Sequence, residues 1–143
     1  MKDLNSDILV VLGPTASGKT AFAAHLADEF NGEVISADSR QVYKKMDIGT
    51  GKDYGDYQVG DHHIPCHLID IVDPGNKYNV YEYQKDFLEV YQALRRKGKL
   101  PVLCGGSGLY IEAVLKAYKL IHVPPDDELR KSLYGKTDRK SVV

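Results

Sequence analysis

No stretch of these 143 residues approaches the length of apolar sequence needed to cross a bilayer, so no membrane segment is expected. There is no C-x-x-C pair. Cys66 and Cys104 stand far apart, which argues against a thiol-ligated metal and suits reduced thiols in a cytosolic protein. Met1 to Asp7 lacks the apolar core of a secretory signal, so no export is expected. There is also no charge bias: nineteen basic and twenty acidic residues give a net charge of −1. A basic patch can hide in such a total, so a nucleic-acid partner is neither indicated nor excluded. Internal repeats and low-complexity linkers are missing too. What remains is 43% hydrophobic residues, enough apolar side chains for one core.

Against that plain background one segment stands out. Gly13-Pro14-Thr15-Ala16-Ser17-Gly18-Lys19-Thr20 fits G-x-x-x-x-G-K-[ST] without a mismatch. Before it, Ile8-Leu9-Val10-Val11-Leu12 reads as a buried strand. After it, Ala23, Leu26, Ala27 and Phe30 keep the spacing of one helix face. Strand, glycine loop and helix in that order form a phosphate loop (P-loop). Its backbone N–H groups can wrap an anion at the positive end of a helix dipole. Lys19 adds a point charge to the outer phosphates, and Thr20 offers a hydroxyl to Mg²⁺, the one cofactor expected.

The rest of the chain alternates strand and helix. The first helix is expected to stop near Asn31-Gly32. Glu33 to Ala37 reads as a second strand, with Asp38 directly at its carboxyl end, where open α/β sheets place their chemistry. Residues 46 to 62 are glycine-rich and polar and are expected to be an irregular loop. His67 to Val72 reads as a third strand closed by Asp73-Pro74-Gly75. A helix is expected from Val80 to Lys97, with Asn79 as N-cap, Val80, Tyr83, Phe87, Val90, Tyr91 and Leu94 on one face, and Gly98 as its stop. Pro101 to Cys104 is a fourth strand, broken by Gly105-Gly106 before a helix carrying Leu109, Ile111, Val114 and Leu115. This alternation predicts an α/β fold, a parallel sheet with helices on both faces.

A phosphate loop alone says only that a polyphosphate is bound. Four further segments narrow this: Asp38-Ser39-Arg40-Gln41-Val42-Tyr43, Asp47-Ile48-Gly49-Thr50-Gly51-Lys52, His67-Leu68-Ile69-Asp70 and Gly105-Gly106-Ser107-Gly108-Leu109-Tyr110. In this order, together with the loop, they resemble the tRNA dimethylallyltransferases, also called tRNA isopentenyltransferases, from Ile8 to about Leu133. The resemblance implies a P-loop NTPase-like fold and transfer of a dimethylallyl group from dimethylallyl diphosphate to N6 of an adenine beside the tRNA anticodon. It implies that Gly13, Pro14, Thr15, Ala16, Ser17, Gly18, Lys19 and Thr20 hold the diphosphate, with Thr20 also on Mg²⁺. Asp38 and Lys19 become the candidate catalytic residues, Asp38 as the base for the adenine amine. Asp38, Ser39, Arg40, Gln41 and Ser107 are the candidate tRNA contacts. The partners are then tRNA and dimethylallyl diphosphate, with a cytosolic monomer as the expected state.

The chemistry suits these residue types. An adenine amine is a weak nucleophile, so ionisation of the allylic C–O bond must supply much of the drive, and the departing diphosphate needs positive charge. The amine turns acidic as it attacks, so an ordinary carboxylate can take its proton. The base must first leave its stack. The sequence also departs from the family pattern. Asp53 stands in place of a usual proline, Cys66 in place of the first of two histidines, and Ser107 in place of threonine with its hydroxyl kept.

Family members are about twice this length, and the resemblance therefore reads the chain as an N-terminal fragment. Residues 1–123 would be the incomplete P-loop core and 124–137 the start of a helical insertion. The tail Asp138-Arg139-Lys140-Ser141-Val142-Val143 matches a reading frame of a sequencing-adapter oligonucleotide and is expected to be non-native. The later half would carry a catalytic arginine, so this piece alone is expected to be inactive, with apolar surface left exposed. Two other readings stay open: a small-molecule P-loop kinase, in which Asp38 would serve Mg²⁺ or a substrate hydroxyl, and a diphosphate-binding fragment without turnover. Plainer roles also exist for single residues. Asp38 can cap a turn; His62, His63 and His67 read as loop and strand residues more readily than as metal ligands; Arg95, Arg96, Lys97 and Lys99 suit a solvated helix end.

Overall fold

Residues 7–14, 16–45, 54–116 and 128 are described by the structure, a computed structural model. The apolar run before the glycine loop forms strand β1 (Leu9–Leu12), and the residues after it form helix α1 (Lys19–Glu29). Strand β2 (Gly32–Ser36) follows. A 3-10 turn (Tyr54–Tyr57) leads into a small antiparallel hairpin of β3 (Gln58–Val59) and β4 (His62–His63). After β5 (Cys66–His67) come helix α2 (Val80–Arg96), strand β6 (Leu100–Gly105) and helix α3 (Gly108–Leu115).

The main sheet is parallel, in the order β1-β6-β2-β5. Every residue of β6 is buried, as expected for a strand with neighbours on both edges and helices on both faces. Strand alternation sorts the core. Val11, Val34, Val102 and Cys104 meet Ala23, Ala24 and Ala27 of α1, whose small side chains let that helix lie close to the sheet. Ile35, Ala37 and Leu103 face the other way, against Tyr83, Phe87 and Leu94 of α2 and Tyr110 and Ile111 of α3. The expected two-sided α/β architecture is therefore present.

Helix α2 follows its expectation closely. Asn79 Oδ1 accepts the Glu82 N–H at 3.1 Å, and Glu82 Oε2 accepts the Asn79 N–H at 2.9 Å, a complete capping box. Gly98 takes the left-handed conformation just past its end.

The first helix ends where expected: α1 closes at Glu29 and Asn31 takes the left-handed φ of 53°, while Gly32 opens β2, where a Cβ would collide with the carbonyl oxygen of Leu100. Two expectations need correction. The third strand is not His67 to Val72 but only Cys66–His67. Leu68 and Asp70 both adopt left-handed backbone, which turns the chain out of the sheet. Its continuation pairs instead with the segment after β2: Asp70 N–H donates to Gln41 O, Ile71 and Val72 N–H to Val42 O, and Lys44 N–H to Val72 O. The described part of the region expected to be irregular, residues 54–62, holds the 3-10 turn and hairpin, which pack Tyr57 and Ile64 against α1. In α3, Tyr110, Ile111 and Ala113 are buried, while Leu109 and Leu115 are 60% and 48% exposed.

The Asp47 to Lys52 segment, Asp53, the insertion at 124–137 (Glu128 apart) and the tail at 138–143 lie outside the described residues. Among the described residues, no strand covers the outer edge of β1. Val10, Leu12 and Phe22 beside it are 40%, 63% and 57% exposed.

Two substitutions separate local from tertiary control of this fold. Asn79→Ala removes the cap of α2 and is expected to lower the unfolding free energy by about 1 kcal/mol. Gly105→Ala forces a methyl into the Ala37 carbonyl and is expected to cost more, ~3 kcal/mol. Urea denaturation of both variants checks the order; equal midpoints would contradict it.

Candidate functional site

Three strand ends meet at one place. β1 runs into Gly13, β2 into Ala37-Asp38, and β6, between them, into Gly105-Gly106. The absence of side chains on β6's exit makes this possible. A Cβ on Gly105 would overlap the Ala37 carbonyl oxygen, and one on Gly106 would stand 3.2 Å from Gly13 O. Cys104 O accepts the Ala37 N–H at 2.8 Å, and Ala37 O accepts the Ser107 N–H at 3.2 Å. The phosphate loop, the aspartate and the Gly-Gly-Ser turn are thereby held side by side.

The loop closes on itself. Ala16 and Gly18 take left-handed φ of 59° and 79°, and Gly18 is the N-cap of α1. Alternation of this kind turns successive N–H groups inward as an anion nest. Ser17 Oγ and Lys19 Nζ both donate to Pro14 O, at 2.7 and 2.9 Å. Lys19 therefore lies along the loop, with its charge at the mouth. Thr15 lies outside the described residues. A hollow of ≈ 600 Å³ opens beside the loop, lined by β1, Lys19 and Phe22 among others.

Asp38 is half-buried, and its Oδ1 accepts the N–H groups of Arg40 at 2.9 Å and Gln41 at 3.3 Å. The capping role is thus real. It also orients the carboxylate, so capping and proton transfer are not exclusive roles. Ser107 Oγ accepts the Ser39 N–H at 2.9 Å and lies 3.3 Å from Ser39 Oγ. The structure therefore brings Asp38, Ser39, Arg40, Gln41 and Ser107 into one cluster. The strap after β5 braces this cluster from outside through its bonds to Gln41 and Val42.

Behind the cluster stands an aromatic wall. Tyr83 donates its hydroxyl to Ser36 O at 2.8 Å and stacks on Tyr110 at 4.3 Å between centroids. Burial pushes the Tyr110 phenol up to about 12 and the Tyr83 phenol higher still. Both therefore stay neutral, and Tyr83 acts as a donor.

Cys104 was legible only as a strand residue with a free thiol. The structure puts its sulfur under the first turn of α1, where the S–H donates to Lys19 O at 3.6 Å. The signal was present in the alternation of β6, which sends Val102 and Cys104 to the α1 side. The histidines find carboxylates: His62 Nδ1 lies 2.7 Å from Asp28, and His67 Nε2 lies 2.6 Å from Glu33. Arg95 bonds Asp7 at 2.9 Å at the far end of α2.

Mg²⁺ is the ion this loop implies, and the donors fit it. Among the described residues no group of three His, Cys, Asp or Glu side chains could cage a metal. A hard hydroxyl oxygen at Thr20, beside an anion nest, matches an ion that takes most of its oxygens from phosphate and water.

A family model described as IPP transferase matches residues 41–142, and one described as isopentenyl transferase matches residues 6–60. The chain belongs to the IPP transferase family. It is 63% identical over 131 residues to tRNA dimethylallyltransferase 1 of Parabacteroides distasonis, and equally so to tRNA dimethylallyltransferase 2 of Bacteroides fragilis. Each match covers 92% of this chain and 43% of the relative, so the chain spans less than half the length of these curated relatives. The crystal structure of the full-length tRNA isopentenylpyrophosphate transferase from Bacillus halodurans superposes with a TM-score of 0.74 at 41% identity, covering 91% of this chain and 42% of that one. A eukaryotic dimethylallyltransferase acting on tRNA gives 0.67 at 25% identity. The P-loop NTPase-like fold expected from the sequence is shared with these transferases. No helix among the described residues is long and apolar enough to cross a membrane.

Two measurements follow from this geometry. Lys19→Ala is expected to abolish pyrophosphate binding in calorimetry with Mg²⁺, because the charge and its hydrogen bonds are lost together. Burial raises the thiols of Cys66 and Cys104 to about 12 and about 11. Both stay protonated at mildly alkaline pH. The folded chain is therefore expected to react with Ellman's reagent far more slowly than the chain in guanidinium. Equal rates would contradict this.

Proposed function

We propose that this chain is the diphosphate-holding part of an enzyme that transfers a dimethylallyl group from dimethylallyl diphosphate to N6 of an adenine beside a tRNA anticodon. One observation carries the reading: in a chain of this family, the phosphate loop, Asp38 and the Ser39–Ser107 pair converge at the exit of β6. The loop N–H groups and Lys19 bind the diphosphate. Thr20 would hold Mg²⁺, which would supply positive charge beside the leaving diphosphate. The allylic carbon–oxygen electron pair leaves with the diphosphate, and the adenine nitrogen's lone pair forms the new C–N bond. Asp38 takes the amine proton on Oδ2 while its Oδ1 stays fixed by Arg40 and Gln41. Ser39, Arg40, Gln41 and Ser107 meet the target nucleotide. In this reading the protein works as a cytosolic monomer.

The rival kinase reading differs in its ligand. The chain is expected to bind dimethylallyl diphosphate and pyrophosphate with Mg²⁺ in preference to ATP; tighter ATP binding in the same calorimeter would reverse the assignment. For the chemical step, the chain can be completed with the remaining part of the Parabacteroides distasonis relative. In that chimera, Asp38→Asn is expected to slow single-turnover transfer about a hundredfold or more, while filter retention of tRNA persists. A near-normal rate would show that another group takes the proton.

A further inference from the structure

A serine at a helix N-cap ordinarily spends its hydroxyl on an N–H of the first helical turn. Ser107 is the N-cap of α3 and makes no such bond. Its hydroxyl turns instead to a residue 68 positions away in the chain. It accepts the Ser39 N–H at 2.9 Å and donates its hydrogen to Ser39 Oγ at 3.3 Å. The Ser107 N–H goes to Ala37 O at 3.2 Å. Ser107 thus grips the chain on both sides of Asp38.

The count of hydrogens decides what this grip can offer a ligand. A hydroxyl has one hydrogen to give and two lone pairs to receive with. Ser107 gives its hydrogen to Ser39, so Ser39 Oγ keeps its own hydrogen for another acceptor. Receiving a bond also polarises a hydroxyl and makes it a better donor. Ser39 is exposed next to Asp38, while Ser107 is half-buried.

We infer that Ser107 is a positioning residue for Ser39: it fixes the Ser39 hydroxyl as a hydrogen donor toward an acceptor atom of the target nucleotide, beside the carboxylate that receives the amine proton. Ser107 therefore acts on the nucleotide through Ser39. This role rests on the tRNA reading above. It differs from two serines that contact the RNA separately, whose losses would be independent.

The test is a double-mutant cycle in the chimera described above. The readout is the second-order rate constant for single-turnover transfer to an anticodon stem-loop RNA, with circular dichroism melts to confirm folding. Ser39→Ala and Ser107→Ala are each expected to lower that constant about three- to tenfold. The double variant is expected to lose no more than Ser39→Ala alone. Ser107→Thr keeps the hydroxyl and is expected to restore what Ser107→Ala loses. If Ser107→Ala does not fold, the isosteric pair Ser107→Val and Ser107→Thr gives the same comparison, alone and on top of Ser39→Ala. Losses that multiply in the double variant overturn the proposal. So does a Ser107→Ala loss that Ser107→Thr fails to restore, or no loss at all in Ser107→Ala. The two layers stay separable. If the unsubstituted chimera folds but transfers no dimethylallyl group, the reading above falls and this one with it. If it transfers and the two serine losses multiply, only the role of Ser107 falls.

Discussion

A methyl group on Gly105 would overlap the carbonyl oxygen of Ala37, and one on Gly106 would press on Gly13. The close approach of these three backbones governs the rest of the molecule. β6 lies between β1 and β2, so whatever leaves its carboxyl end stands between the phosphate loop and Asp38. Side chains there would hold the two apart. With glycines, Ser107 comes near enough to bond both Ala37 O and the Ser39 N–H, and the two halves of the site share one turn of chain. A backbone contact of this kind does not depend on which side chains decorate the loops, so the site keeps its geometry while Ser39 and Arg40 stand exposed beside it.

The two faces of the sheet solve different packing problems. On one face, Ala23, Ala24 and Ala27 bring α1 down onto Val11, Val34 and Val102, so the start of the helix lies close to the strand ends. That closeness lets the Cys104 thiol reach Lys19 O at 3.6 Å. On the other face, large side chains do the work. Tyr83 is wholly buried, stacks on Tyr110, and spends its hydroxyl on Ser36 O, two residues before Asp38. β5 has already turned away at Leu68 and cannot pair with that stretch of β2. The phenol stands in for a missing strand partner, and the strap from Asp70 to Val72 secures the residues beyond.

Much of the site was legible because its signals are local. The phosphate loop is a contiguous motif, and its Gly18 supplies the left-handed residue that caps α1. The α2 cap is a four-residue pattern. Asp38 was placed correctly because strand ends follow from apolar runs. The third strand failed for a physical reason: His67 to Val72 is apolar and β-branched, but left-handed backbone at Leu68 and Asp70 leaves no mark in composition. The hairpin at 58–63 is too short to show alternation.

The sequence by itself determined the order of elements, the helix and strand periods, the phosphate loop with its nest and lysine, and the family, because each of these is written in neighbouring residues or in the spacing of a few motifs. Tertiary structure decided that β6 stands between β1 and β2, that Gly105 and Gly106 seat Asp38 beside the loop, and that a buried thiol holds the first turn of α1. Those facts join Gly13, Ala37, Cys104 and Ser107, residues up to ninety-odd positions apart. Only the packing of a parallel sheet, with its crossovers, brings such distant backbones into contact.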